Sequence, residues 1–282
     1  MRQILSDKKI GILGLGNMGR ALARGLIDGK LVEPRQITAS RRNKELLYKA
    51  SRELSIQITG DNKLLARRSD VLILGVKPQG IMDALLEIRE SLSSSLVISI
   101  AAGISTSFIE DALGQELAVV RVMPNTPSLV QQGVSGFCPG KYASDDDLEV
   151  ASAILSGMGL AVKVSEDLLD PITAVSGTGP AYFFLLAEGL IKAAMELGIT
   201  EELARLLVME TFSGASALMR ERREPPARLR EQVTSPGGTT EAAMDYLQER
   251  GFVRIFQDAV AHARVRAEEL GQEAEDSASE SQ

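Results

Sequence analysis

The chain has 282 residues, of which 44% are hydrophobic, 24% are charged and 4% are aromatic, and its formal net charge is −7. This length suffices for one large domain or two of ordinary size. The acidic balance argues against an electrostatic nucleic-acid binder. One cysteine and one histidine are too few for a structural zinc site, so we expect no metal, and a single cysteine favours a reducing compartment.

The N-terminal half alternates short runs rich in Val, Ile and Leu with longer segments of helical periodicity. The predicted strands are 9–13, 36–40, 71–76, 96–100, 118–123, 134–138 and 160–164. The predicted helices among them are 18–28, 43–54, 79–88, 105–113 and 145–158. This alternation predicts an α/β fold, a doubly wound parallel sheet of Rossmann type with helices on both faces.

The C-terminal half loses the strand pattern after about residue 170 and predicts helices at 180–197, 201–220, 240–250 and 252–270. We expect a dinucleotide-binding domain at 1–167 and an all-helical domain at 168–270. Because the helical part is too small and too apolar to cover itself, it predicts a homodimer. Residues 271–282 are rich in Glu, Ser and Ala and predict a disordered acidic tail.

Apolar runs such as 71–76 and 96–104 are far shorter than the roughly 20 residues of a membrane-spanning helix, and the N-terminus does not have the pattern of a signal peptide. We therefore expect a soluble, cytoplasmic protein with no membrane partner.

A glycine-rich run, Gly14-Leu15-Gly16-Asn17-Met18-Gly19, follows the first predicted strand and opens a helix. Gly14 permits a tight turn, Gly16 lets backbone N–H groups approach a pyrophosphate, and Gly19 permits close packing of helix on strand. The helix N-terminus adds positive potential. In this context the run predicts a dinucleotide site, whereas alone it would fit any tight loop.

The end of the second strand, Ala39-Ser40-Arg41-Arg42-Asn43, distinguishes between dinucleotides. An NAD site typically carries Asp or Glu about 20 residues beyond the glycine run. A hydroxyl and two guanidinium groups instead offer donors to a 2′-phosphate, which favours NADPH over NADH without excluding either. The alternative is that these residues only form the solvated start of a helix.

Further loops follow later strands at the same predicted edge of the sheet, where ligands of open parallel sheets bind. Lys77 and Pro78 follow one strand, and Ala101-Ala102-Gly103 follow the next, where small residues would let a ribose or nicotinamide approach the backbone. Asn125, between two prolines, is a candidate to orient a nicotinamide carboxamide, although such turns are also common without a ligand.

Two loops in the helical half are rich in glycine and hydroxyl groups. Residues 176–182 predict a flexible loop before a helix. In residues 233–240, the N–H groups of Gly237, Gly238 and Thr239 predict a pocket for a carboxylate at a helix N-terminus. A helix cap preceded by a turn is the alternative for each loop.

The chain resembles the pyrroline-5-carboxylate reductases, which catalyse the last step of proline synthesis. The matching segments run in the family's order and are 12–19, 76–78, 101–103, 123–127, 176–182 and 233–240, of which Ser-Pro-Gly-Gly-Thr-Thr is the most particular to the family. The resemblance implies reduction of L-1-pyrroline-5-carboxylate by NADPH or NADH. It also implies an N-terminal Rossmann domain and a helical domain that dimerises, with larger rings of dimers in some members.

The resemblance also implies site residues. For the cofactor they are Leu13, Gly14, Leu15, Gly16, Asn17, Met18, Ser40, Arg41, Asn43, Asn62, Val76, Lys77, Pro78, Ala101, Ala102 and Gly103, to which the loop argument adds Asn125. For the substrate they are Glu166, Ser235, Gly237, Gly238, Thr239 and Thr240. The adenosine loop Ser40-Arg41-Arg42 is not the family's commonest form, which leaves the preference between NADPH and NADH open.

Thr240 is the candidate catalytic residue, as the hydroxyl nearest the imine nitrogen. A substrate that enters protonated needs no strong side-chain acid, and His262 is expected to have only a surface or packing role. Two other functions stay open: a related NADP-dependent imine or 3-hydroxyacid reductase, with Lys192 as its catalytic lysine, and a redox-sensing nucleotide binder without catalysis. Cys138 is expected to be a packed small side chain.

Overall fold

The structure is a computed structural model that describes residues 2–279. Its strands are β1 (Ile10–Leu13), β2 (Ile37–Ser40), β3 (Gln57–Ile58), β4 (Val71–Leu74), β5 (Leu96–Ser99), β6 (Val119–Met123), β7 (Gly133–Pro139) and β8 (Gly159–Lys163). The helices of the first part are α1 (Arg2–Leu5), α2 (Asn17–Asp28), α3 (Lys44–Leu54), α4 (Asn62–Arg68), α5 (Ile81–Ile88), α6 (Thr106–Leu113), α7 (Asp145–Ser156) and α8 (Leu169–Ile172). The later helices are α9 (Gly179–Glu196), α10 (Glu201–Arg222), α11 (Pro226–Gln232), α12 (Thr239–Glu249) and α13 (Phe252–Ser279).

The eight strands form one sheet in the order β3-β2-β1-β4-β5-β6-β7-β8. Every neighbouring pair is parallel except β6 and β7, which are antiparallel. The predicted Rossmann-type α/β fold is therefore confirmed. The antiparallel pair arises because only residues 124–132 connect these strands, a length that suits a turn and not the crossover helix that parallel strands need.

Both faces of the sheet are buried, as the near-continuous apolar strands predict. Along β4, Val71 and Ile73 belong to one hydrophobic cluster with α2, α3 and α7, whereas Leu72 and Leu74 belong to a second cluster with α4, α5 and α6. The side chains alternate between faces because successive residues of a strand point in opposite directions. The helices thus cover the sheet on two sides and leave the carboxyl ends of β1, β2 and β4 at one edge.

Two compact units divide the described chain. The first comprises the described residues of Met1–Thr178 and Ala263–Gln282, and the second comprises Gly179–His262. This division by contacts falls at residue 178, later than the domain limit drawn at 167 from the loss of strand pattern. The limits of the domains, 1–167 and 168–270, stay a prediction.

The segment 176–182 is helical, and the prediction of a flexible loop there was wrong. A single wide helical turn, Thr173–Gly177, joins α8 to the start of α9. The hydroxyls of Ser176 and Thr178 donate to the carbonyls of Ile172 and Thr173, at 3.1 and 3.2 Å, so they satisfy the helix and do not compete with it. Proline at position 180 is tolerated because it lies in the first turn of α9.

Helix α13 continues to Ser279, so the predicted disorder of the tail was wrong for residues 271–279, while 280–282 lie outside the described residues. Glutamate, alanine and glutamine favour helix, although an acidic segment without periodicity is also typical of disorder. Gly271 is buried, and its backbone lies against the backbone of Gly103: a Cβ added to Gly271 would lie 2.5 Å from the Gly103 carbonyl oxygen. The helix packs at this point with backbone on backbone.

The second unit, Gly179–His262, buries few apolar side chains, namely Ala204, Val208 and Leu229. Large side chains on α9 and α10 are exposed instead, among them Phe184, which is 69% exposed. The helical run Glu166–Glu196 is, by length and composition, long and apolar enough to cross a membrane, and 17% of its most apolar window is buried. The unit therefore presents an apolar surface to its surroundings.

Candidate functional site

The glycine loop after β1 makes a turn that side chains would prevent. Gly14 has φ of +97°, and a Cβ added there would lie 2.7 Å from the Gly75 carbonyl oxygen. A Cβ added to Gly75 would likewise lie 2.6 Å from the Gly14 carbonyl oxygen. The ends of β1 and β4 thus approach each other at two glycines, and any larger residue would separate them.

Gly16 is the N-cap of α2, and no side chain caps this helix. A Cβ added to Gly16 would meet nothing within 4 Å, so its backbone faces open space. The N–H groups of the first turn have no acceptor within the helix and are available to an anion. This geometry fits the pyrophosphate of a dinucleotide, as the glycine pattern predicts.

A cavity of about 550 Å³ lies over this loop. The predicted cofactor residues in its wall are Leu13, Gly14, Gly16, Ser40, Arg41, Asn62, Val76 and Lys77. Arg42, the second guanidinium group of the predicted 2′-phosphate site, also lines it. The wall further includes residues that were not predicted to bind the cofactor, namely Gly60, Gly75, Gln79, Gly80, Asp83, Ala84 and Glu87. The structure thus brings the loops after β1, β2 and β4 together in one wall. Helix α5 also contributes to this wall, which the sequence did not predict.

The side of the cavity at the end of β2 is organised by hydrogen bonds. The carbonyl of Ser40 accepts from the N–H groups of Gly14 and Leu15 at 3.1 and 3.0 Å, and Arg41 donates through Nη1 to the Leu15 carbonyl at 2.9 Å. The Ser40 hydroxyl donates to Oδ1 of Asn62 at 2.7 Å, and Nδ2 of Asn62 donates to Glu87 at 2.8 Å. The end of β2 and the glycine loop therefore form one connected surface.

The other predicted cofactor residues are Leu15, Asn17, Met18, Asn43, Pro78, Ala101, Ala102, Gly103 and Asn125, and they lie outside this cavity wall. Asn43 caps α3, because its Oδ1 accepts from the N–H of Leu46 at 3.0 Å. Ala101-Ala102-Gly103 follow β5 at the same edge of the sheet, and Gly103 has φ of +77°. Their contact with a cofactor stays a prediction.

Asn125 is 9% exposed and is hydrogen-bonded within the fold, while its predicted contact with the cofactor stays a prediction. Its Oδ1 accepts from the N–H of Val134 at 2.9 Å, and its Nδ2 donates to the carbonyl of Ser176 at 3.2 Å. The side-chain amide therefore joins the turn after β6 to β7 and to the wide turn before α9. Both ends of the amide are engaged in the fold.

Glu166 is also held by hydrogen bonds within the fold, and its predicted contact with the substrate stays a prediction. Its Oε1 accepts from the N–H of Thr106 at 2.8 Å, and its Oε2 accepts from the hydroxyl of the same residue at 2.7 Å. Arg121, 5% exposed, donates to Glu166 at 3.4 Å and to Asp170 at 2.6 Å. Burial, together with the charge of Glu166, raises the pKa of the nearby Cys138 thiol to about 12, so this side chain is a packed, protonated thiol.

The loop before α12 belongs to the second unit. The N–H of Gly237 donates to the carboxylate of Glu241 at 2.7 Å, and the N–H of Gly238 donates to the carbonyl of Ser235 at 3.0 Å. Two of the three predicted carboxylate donors therefore have internal partners. The first turn of α12 begins at Thr239, and its N–H groups have no acceptor within the helix, so Thr239 and Thr240 carry the donors that remain.

The candidate catalytic lysine and the histidine are both exposed side chains of helices. Lys192 is exposed on α9 and pairs with Glu188 one turn away, at 2.6 Å. His262 is exposed on α13. Within residues 2–279, no cluster of three or more His, Cys, Asp or Glu side chains is arranged to hold a metal ion.

Comparison with known proteins gives two family matches that together span most of the chain. Residues 166–270 match the model described as pyrroline-5-carboxylate reductase dimerisation, and residues 9–103 match the model described as NADP oxidoreductase, coenzyme F420-dependent. The pyrroline-5-carboxylate reductase of Methanosarcina acetivorans is 40% identical over 95% of this chain and 99% of that protein.

Solved structures give the same result. The pyrroline-5-carboxylate reductase of Coxiella burnetii is 39% identical, with a TM-score of 0.86 over 93% of this chain and 98% of its own. The pyrroline carboxylate reductase of Plasmodium falciparum, solved with NADP bound, is 31% identical, with a TM-score of 0.87 over 94% and 98%. The similarity therefore covers both halves of the chain.

Proposed function

We propose that this chain, which belongs to the pyrroline-5-carboxylate reductase family, reduces L-1-pyrroline-5-carboxylate to L-proline with a hydride from NADPH, the last step of proline synthesis. NADH is the second cofactor that the site admits. The observation that supports this most directly is the cavity whose wall joins the glycine turn to Ser40, Arg41 and Arg42. It provides backbone donors for a pyrophosphate and guanidinium groups for a 2′-phosphate.

The residues of the cavity have separate roles in holding the cofactor. Gly14 and Gly16 shape the turn that lets the first N–H groups of α2 reach the pyrophosphate. Arg41 and Arg42 bind the 2′-phosphate, and Arg41 is already oriented by its bond to the Leu15 carbonyl. Ala101-Ala102-Gly103, farther along the same edge, present backbone without bulky side chains to the nicotinamide half.

The loop before α12 holds the substrate, a cyclic imine with one carboxylate. The N–H groups of Thr239 and Thr240 bind the carboxylate at the positive end of α12. Ser235, Gly237 and Gly238 shape the turn that presents these donors, and Glu241 stabilises it through its bond to Gly237.

Reduction of the imine requires a hydride at carbon and a proton at nitrogen. When bound, NADPH supplies the hydride. The protein orients the substrate for this transfer, which lowers the barrier because the entropy cost of bringing the reactants together has already been met on binding. The Thr240 hydroxyl contacts the imine nitrogen and either orients it or relays a proton from water, so that no stronger acid is needed.

The second unit forms the homodimer. Its large exposed side chains on α9 and α10 constitute an apolar surface that one chain leaves uncovered. We propose that two copies cover each other at this surface, that the dimers assemble further into a ring, and that the enzyme works in the cytoplasm without a membrane, nucleic-acid or metal partner. The apolar run Glu166–Glu196 then serves helix packing in the dimer.

The test is NADPH oxidation in the presence of pyrroline-5-carboxylate, beside its six-membered homologue, with NADH in parallel. We expect turnover with the five-membered substrate and formation of proline in equal amount to the NADPH consumed. Turnover of the six-membered ring alone would identify a different imine reductase. Binding of NADPH without turnover of either imine would support a nucleotide sensor and contradict the proposal.

A further inference from the structure

The cavity wall carries carboxylates as well as cations, and both carboxylates come from α5. Asp83 and Glu87 lie in the same wall as Arg41, Arg42 and Lys77. The family matches and the glycine pattern account for the cations and the backbone donors. They do not account for a negative charge in a cavity that would receive a phosphorylated cofactor.

Glu87 is connected to the end of β2 by a short chain of hydrogen bonds. The Ser40 hydroxyl donates to Oδ1 of Asn62 at 2.7 Å. The carboxylate of Glu87 only accepts hydrogen bonds, so it is this group that sets the Nδ2 end of the amide toward α5. Nδ2 of Asn62 then donates to Oε2 of Glu87 at 2.8 Å. Ser40 is buried, so one end of the chain is fixed in the sheet, while Glu87 at the other end is exposed to the cavity.

The Ser40 end of this series of hydrogen bonds lies at the end of the second strand, where Rossmann folds recognise the adenosine ribose. Sites for NAD place an Asp or Glu at the end of the second strand, and its carboxylate accepts from the ribose hydroxyls. Here Ser40 is the last residue of β2, and Arg41 follows it. The carboxylate that β2 lacks is therefore supplied from α5, through Asn62, to the same side of the cavity.

We infer that Glu87 is a specificity-determining residue that accepts from the adenosine ribose hydroxyls and so favours NADH, in opposition to Arg41, which favours NADPH. This rests on the proposed function and deepens it. A carboxylate hydrogen-bonds a free 2′-hydroxyl but repels a 2′-phosphate. The opposed pair explains how one cavity admits both cofactors.

The decisive variant is Glu87→Gln, because glutamine keeps an oxygen that accepts from Asn62 and removes only the charge. Titration calorimetry with NADP⁺ and with NAD⁺, without substrate, measures its effect on binding. We expect the Kd for NADP⁺ to fall and the Kd for NAD⁺ to rise, each by about three- to tenfold. The ratio of kcat/KM for NADPH and NADH should shift in the same direction.

Two further variants separate charge from position. Glu90→Gln removes the same charge one helical turn along the chain, outside the cavity wall, and should leave both Kd values unchanged. Glu87→Ala also removes the acceptor for Asn62 and should weaken NADP⁺ less than it weakens NAD⁺. Parallel changes for both dinucleotides in Glu87→Gln, or no change, would overturn the inference.

A failure of the inference about Glu87 and a failure of the proposed reductase function give different experimental results. Dinucleotide binding is measured without the imine, so opposite shifts in Kd support the role of Glu87 even if the wild-type chain reduces no pyrroline-5-carboxylate. Conversely, a wild-type enzyme that makes proline while Glu87→Gln binds both dinucleotides as before would retain its function and refute this role.

Discussion

Thr240 lies at the second position of α12, so its hydroxyl and the free N–H groups of the first turn are at the same end of the helix. In the proposed mechanism this hydroxyl contacts the imine nitrogen. Thr240→Ala should lower kcat about tenfold with little effect on the Kd for NADPH, since one hydrogen bond contributes roughly 1–2 kcal/mol to the transition state. Steady-state kinetics and NADPH titration check both parts.

Thr240→Ser keeps the hydroxyl and provides the control for packing and fold. We expect it to restore most of the turnover that alanine loses. An alanine variant with wild-type kcat would remove Thr240 from the mechanism, and a serine variant as slow as alanine would assign the loss to the methyl group.

In the proposed function, Arg41 binds the 2′-phosphate and so favours NADPH over NADH. Arg41→Ala should raise the KM for NADPH about tenfold more than the KM for NADH, because it removes a charge-assisted contact that only the 2′-phosphate makes. Its bond to the Leu15 carbonyl is lost as well, so a small loss with both cofactors is also expected. Kinetics with each cofactor at saturating imine measure the two changes.

Lys44→Ala is a matched control, because it removes a neighbouring cation at the exposed start of α3, outside the cavity wall. It should leave the ratio of the two KM values unchanged. Equal losses for NADPH and NADH in Arg41→Ala would contradict a contact with the 2′-phosphate.

The sequence predicted those site residues whose role follows from backbone geometry or from a charge at a strand end. Gly14 and Gly16 were predicted because their positions after a strand admit few alternatives, and both lie in the cavity wall. The ligand contacts of Asn125 and Glu166 stay predictions, whereas their hydrogen bonds within the fold were not predicted because the partners are distant in sequence. Glu87 was missed because its approach to Asn62 depends on how α4 and α5 pack.

At the scale of elements, α13 makes one contact that a local pattern does not predict. Gly271 lies in the helix, where glycine costs about 1 kcal/mol relative to alanine, and its backbone packs on Gly103. Gly271→Val should therefore lower the free energy of unfolding by about 1–3 kcal/mol, as expected for overpacking. Because Gly103 belongs to the predicted cofactor loop, the KM for NADPH should rise as well.

Gln272→Val is the control, because it introduces valine at the next position of α13, which is exposed. It therefore measures the effect of the low helix propensity of valine without overpacking. The comparison by urea denaturation should show a clear loss only for the change at Gly271. Equal stability of the two variants would mean that α13 does not hold the Gly103 loop.

The order of helices and strands was largely predictable, because periodicity and apolar runs are local properties. All seven predicted strands are present, and the helices begin within a few residues of their predicted positions. The elements and directions that were not predicted have two causes. β3 and α4 are too short to show a period, and the direction of β7 depends on the length of a connection and not on the composition of a strand.

At the scale of the whole molecule, the second unit determines the assembly. The exposed apolar side chains of α9 would be unfavourable on a surface that stays in water, so burial against a second copy accounts for them. Burying one such aromatic side chain contributes roughly 1.5–3 kcal/mol, and a symmetric interface counts each residue twice. A single charge introduced there should therefore have a large effect.

Phe184→Glu should convert the dimer to a monomer at micromolar concentration, measured by sedimentation equilibrium, and should lower turnover if the assembled form is the active one. Tyr48→Glu makes a similar change on α3, where the residue is 60% exposed against 69% for Phe184, and should leave the mass of the assembly unchanged. A wild-type chain that is monomeric without detergent would refute the dimer. A wild-type chain that partitions into lipid vesicles would instead assign the apolar helix to a membrane, since burial in lipid satisfies the same side chains.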